Sequence, residues 1–272
     1  YAQLRGPLMA WLDDLAGHRY PDVRVRAAQI VGLLAIFDFR GVSDVLITPW
    51  AKRRAVYREA AALAMDQIAR HPPLTSAVNR RLRAWTSSNL VTEQDTAARW
   101  HGLRTDRKTV TNAMGELHSL GSRPHLRRGT SIAEAMSLLF LNGAVDEIID
   151  ELGRWIGSNN PYLPHHAVKT LLILTDPRDV AKLGRTRLTD LMATNAAYEA
   201  ILVRMWRRAL ASRTVGGPAW NALREWLIEA EPHKDQYALM QSLTAQIFTD
   251  ALTVRAVFNL TLWQKRQPDA QL

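Results

Sequence analysis

The chain has 272 residues, 47% of them hydrophobic and 22% charged, with a formal net charge of +9 and no Cys. That composition can fill a buried core and excludes a disordered class, while the missing Cys excludes disulfides, thiolate metal sites and cysteine nucleophiles. The longest apolar run, Met136–Val145, is broken at Asn142-Gly143 and falls short of the ~18–20 residues of a membrane span.

Taken in chain order, apolar periodicity and the Pro and Gly breakers predict an all-α chain of paired helices. First helices are expected near 3–17, 41–50, 73–87, 108–120, 144–157, 178–194 and 217–231. Second helices are expected near 22–37, 53–70, 91–104, 129–141, 161–174, 196–212 and 233–249. A last helix near 252–266 closes the series, and 267–272 reads as a frayed tail. The breakers fall between these segments, as at Pro72-Pro73, Gly121, Pro124, Gly157, Pro161, Gly216-Gly217-Pro218 and Pro232.

Two marks recur along this series. Leu-x-x-Trp ends at Trp11, Trp85, Trp155 and Trp226, spaced by 74, 70 and 71 residues. Half of that spacing is about one helix pair of an α-solenoid. Leu and Trp three apart share a helix face, which predicts packing in the seams between helices. The other reading is an aromatic ladder that grips a ligand. The second mark begins at Pro21-Asp22-Val23-Arg24-Val25-Arg26-Ala27-Ala28. Pro21 and Asp22 start a helix, and Val23, Ala27, Ile30 and Leu34 form one apolar face. Weaker copies follow at Val56-x-x-x-Ala60-Ala61, at Ala97-Ala98-x-x-x-Gly102, near Ala133 and at Pro161-x-Leu163-x-x-x-Ala167.

The Pro-Asp-Val-Arg-x-Arg-Ala-Ala stretch, with Gly32 after it, resembles the second helix of a HEAT repeat. The resemblance implies a right-handed α-solenoid of about seven HEAT-like antiparallel helix pairs with a capping C-terminal helix. Residues 1–272 then form a single array, clear over 1–175 and degenerate over 176–266. Arrays of this Ala-, Arg- and Trp-rich style are similar to the C-terminal portions of large actinobacterial proteins, in which a P-loop domain of the STAND signalling-ATPase type precedes the repeats. The chain opens at Tyr1, which reads as a fragment of a longer protein. Its setting is expected to be cytoplasmic.

The charge is uneven: residues 1–136 hold 20 Lys and Arg against 12 Asp and Glu, residues 137–272 hold 15 against 14. Lys52, Arg53, Arg54, Arg58, Arg80, Arg81 and Arg83 form one basic group, and Arg123, His125, Arg127 and Arg128 form a second just ahead of a predicted helix start. They are read either as a footprint for a phosphate backbone or an acidic protein, or as a solvated face whose Arg stems cover apolar surface. Asp146, Glu147, Asp150 and Glu151 make an acidic cluster in the first turns of a helix, where the dipole favours anions. His165-His166 are adjacent, so their side chains diverge. The chain has no His-Glu-x-x-His, Walker loop, dinucleotide fingerprint or nucleophile elbow.

No catalytic, cofactor-binding or metal-binding residue is therefore assigned, and no enzyme activity is expected. The expected function is a non-catalytic scaffold or sensor that binds a protein partner or another domain of its own chain, without a membrane. The alternative is a basic solenoid that binds nucleic acid, similar to HEAT-like DNA glycosylases of the alkylation-repair kind. No residue here matches that family's functional set position by position.

Overall fold

The computed structural model describes residues 2–103, 107–124, 130–176, 179, 183 and 196–229. The helices expected near 233–249 and 252–266 and the tail lie outside those residues, as does the one near 178–194 apart from Asp179 and Leu183. Every described segment of regular structure is helical, so the all-α expectation holds. The chain divides into two compact units, residues 1–139 and 140–272.

Unit 1 begins with α1 (Ala2–Ala16) and α2 (Pro21–Phe37). Tyr20 is extended and Pro21 opens α2, where its missing N–H costs nothing. Asp38 both ends α2 and starts the next helix: its backbone N–H bonds to the Leu34 carbonyl, and its carboxylate accepts from the Gly41 N–H at 2.8 Å. The next helix is continuous from α3 (Phe39–Val42) through a π-helical run (Ser43–Ile47) into α4 (Thr48–Lys52). Pro49 explains the widened turn, because its ring would clash with the carbonyl four residues back in a regular α-helix. The unit continues with α5 (Ala55–Ala69), a 3₁₀ turn (Pro72–Leu74), α6 (Thr75–Thr86), α7 (Val91–Gly102), α8 (Arg107–Gly121) and α9 (Ser131–Leu141), of which residues 131–139 belong to it.

The α2, α5 and α7 helices pack in series, with α1 on α2 and α6 on α7. Small residues make the approach close. A Cβ on Gly32 would lie 2.7 Å from Gln67 Cβ, and one on Gly102 would lie 2.6 Å from the Ala135 Cα on α9. The core of the unit is built from Leu12, Ala28, Val31, Trp50, Ala61, Met65, Ile68 and Trp85.

Unit 2 contains α10 (Val145–Ile156), α11 (Leu163–Thr175), α12 (Ala196–Ala211) and α13 (Gly216–Glu229). Gly143, with φ +104°, makes the turn into α10. In this unit α11 is central and touches α10, α12 and α13.

The seam assignment for the tryptophans holds at Trp85, Trp155 and Trp226, which are buried, and fails at Trp11, which is 51% exposed. On α1 the buried face carries Met9, Leu12 and Ala16 instead.

Candidate interaction surface

The basic groups singled out in the sequence lie in unit 1, and the structure disperses them into pairs. Arg53 donates to both Asp13 oxygens at 2.7 and 2.8 Å, and the Trp50 indole donates to the same carboxylate at 2.7 Å. Arg81 reaches Asp44 at 3.1 Å and the Thr48 hydroxyl at 3.0 Å. Arg123 donates to the Thr86 carbonyl at 2.7 Å. Arg58 bonds Asp95 at 2.6 Å and the Arg53 carbonyl at 2.7 Å. Lys52 sits 3.5 Å from Glu93. Arg54 lies over the Tyr57 ring and donates to the Gly17 carbonyl at 3.4 Å. Arg80 and Arg83 stay exposed on α6. His125, Arg127 and Arg128 lie outside the described residues.

Two further arginines, absent from the sequence-based groups, complete the pattern. Arg24, buried on α2, donates twice to Glu59 at 3.1 and 2.7 Å and also to the His18 and Arg19 carbonyls. Arg99 on α7 pairs with Glu134 on α9 at 2.7 Å and approaches Asp95 at 3.5 Å. The second helices are thus joined in series by Arg24–Glu59, Arg58–Asp95 and Arg99–Glu134, with sequence separations of 35, 37 and 35. In each pair the base lies on the earlier helix. A second series runs through the first helices with the reverse order, acceptor first: Asp13–Arg53, Asp44–Arg81 and Thr86–Arg123, separated by 40, 37 and 37. Pairs that are partly buried, like Arg24–Glu59, in which two guanidinium N–H groups converge on one carboxylate oxygen, gain more than surface pairs, whose net worth is about 0–1 kcal/mol. Most of these arginines join one helix to another, and those paired with Asp or Glu have their charge offset where it lies.

The surface left open on unit 1 is apolar as well as basic. On α2, the face opposite α5 carries Asp22, Arg26, Gln29, Leu33, Ile36 and Phe37, a helical stripe. Its C-terminal half is unusually bare: Leu33 is 59%, Ile36 38% and Phe37 86% exposed. Sequence periodicity missed this stripe, because Leu33, Ile36 and Phe37 look like any continuation of a buried apolar face.

In unit 2 the acidic cluster separates. Asp146 and Asp150 are exposed, whereas Glu151 is buried, accepts from the Trp155 indole and pairs with Arg154. His166 is fully buried beside the Trp155 ring, and neither ring nitrogen has a hydrogen-bond partner among the described residues. Burial lowers its pKa to about 4, with Lys169 and His165 pushing the same way. No group of three or more His, Asp or Glu able to hold a metal ion occurs among the described residues, and no described helix is long and apolar enough to cross a membrane.

No protein-family model, curated protein or solved structure matches this chain.

Proposed function

We propose that the chain is a non-catalytic helical scaffold, built in unit 1 from stacked HEAT-like helix pairs, that binds a protein partner. The observation that carries this reading is the contrast on unit 1. Six of the cations expected to hold a polyanion are spent on internal acceptors, while an apolar stripe on α2 is left facing outward. Contiguous exposed apolar surface marks interaction sites more often than it marks bare protein surface. The recurrence of helix-joining pairs at separations near one helix pair supports the layered reading. The resemblance in repeat style to arrays that follow P-loop domains supports a place in a larger signalling ATPase, and a Walker loop encoded upstream of Tyr1 tests that point.

Quantitative co-purification with the tagged chain tests the scaffold role. A partner retained at 0.3 M salt, by wild type and by Arg80→Ala/Arg83→Ala alike, is the expected result. The nucleic-acid reading keeps one supporting fact, the exposed pair Arg80 and Arg83. Duplex DNA binding with a steep salt slope, lost in that double variant, would replace the scaffold reading.

A further inference from the structure

We propose that the outward stripe of α2 is the seat of one amphipathic helix of a partner protein, laid parallel to α2, basic in its first turns and small and apolar beyond. The proposal rests on the scaffold reading and names the chemistry of its partner.

The argument starts from how the second helices already receive one another. Arg24 meets Glu59 near the start of α5, and Gly32 meets Gln67 eight residues further along both helices, so α2 and α5 run parallel. The donor face of α2 is Arg24, Ala28, Val31 and Ala35, at i, i+4, i+7 and i+11, all buried. The same spacing recurs on α5 as Arg58, Ala62, Met65 and Ala69, and Arg58 delivers its guanidinium to Asp95 of α7. A base in the first turns followed by small or slim apolar residues is what each of these two helices presents to the next.

Each receiving helix offers a carboxylate on the side facing its predecessor: Glu59 on α5, Asp95 on α7, Glu134 on α9. On α2 the one acid is Asp22. It lies in the first turn, on the face opposite α5, exposed and without a side-chain partner among the described residues. One to four turns on, the same face carries Arg26, which disfavours a second base in the incoming helix, and then Leu33, Ile36 and Phe37. Acid first and apolar side chains after it is the complement of the donor face. Charge complementarity therefore sets both the direction and the register of the occupant.

The experiment uses a fluorescent peptide of residues 55–69, the donor helix α5, stapled on the side away from Arg58 to hold it helical. The peptide is titrated into the whole chain and followed by anisotropy. Saturable binding is expected, weakened about tenfold or more by Asp22→Lys and by Phe37→Asp. Both substitutions fall on exposed side chains, and circular dichroism checks that the fold is kept. Pairing the Asp22→Arg chain with an Arg58→Glu peptide should restore binding to within about threefold of the original. Binding that ignores both substitutions, or no saturation by about 1 mM peptide, overturns the proposal. So does a micromolar self-association that Phe37→Asp abolishes, which would put a second copy of the chain on this face. Co-purification of a partner that survives Phe37→Asp would leave the scaffold reading standing and remove this seat alone.

Discussion

In unit 1 most of the donors that cross between helices are guanidinium groups: Arg24, Arg53, Arg58, Arg81 and Arg99 reach carboxylates 35 to 40 residues away, with the Trp50 indole and the Thr96 hydroxyl beside them. In unit 2 the following donors between described helices are neutral. Tyr198 donates to the Leu174 carbonyl at 2.7 Å, Trp206 to the Thr175 hydroxyl at 3.0 Å, and Ser212 to the Ile156 carbonyl at 3.3 Å, with separations of 24, 31 and 56. The rings of Phe140 and Tyr198 meet edge to face at 5.6 Å. Regular spacing thus goes with charged joints, and irregular spacing with buried aromatic ones. A long Arg spans a constant gap between similar helices. A buried Tyr or Trp must instead find whichever acceptor its own packing allows.

The largest expected effect that tests this contrast is at Asp95, which is buried between Arg58 and Arg99. Asp95→Ala removes the carboxylate of the partly buried Arg58 and one of the two carboxylates near Arg99, and should cost about 3 kcal/mol, seen as faster hydrogen exchange across α5, α7 and α9 with unit 2 unchanged. Exchange rising equally in unit 2 would break the distinction between the units.

Next is acid in unit 2. His166 is neutral when folded, with its pKa lowered to about 4, whereas the unfolded chain titrates near the ordinary value of 6.5. The unfolded state therefore binds more protons between those pH values. The contribution is complete above pH 6.5 and is lost as pH falls towards 4, in total about 3 kcal/mol. His166→Phe should flatten that loss, and an unchanged pH profile would show that His166 is not its source.

Gly102→Ala should cost about 1–3 kcal/mol, because the added Cβ meets the backbone of Ala135. A neutral result in thermal melting would mean that α9 can shift. Smallest is Arg53→Ala, which removes a half-exposed pair and should cost no more than about 1 kcal/mol, an amount that 1 M salt should erase.

The helix bounds were largely legible. Pro21, Pro72-Pro73 and Gly143 mark turns by local chemistry, and α6, α10 and α12 fall within about two residues of their expected limits. The pairing of arginines was not. Arg53 and Arg81 looked like neighbours in a basic patch, because their acceptors lie about forty residues upstream, and only the phase of two helix layers brings them together. Trp11 resembled its three buried counterparts in sequence, yet α1 turns Met9, Leu12 and Ala16 inward and leaves Trp11 half exposed. Glu151 looked like one acid among four until the Trp155 indole selected it.

The two pair series in unit 1 run in opposite senses, base first among the second helices and acceptor first among the first helices. The two inner helix pairs, α3–α5 and α6–α7, therefore carry a donor and an acceptor on both of their tracks, and the tracks are keyed in opposite directions. A pair turned end for end would set Arg against Arg on one track and acceptor against acceptor on the other. A pair duplicated whole, in the same direction, would find its counterparts already waiting. The charges give unit 1 a grammar for growth by complete layers, and they forbid growth by halves.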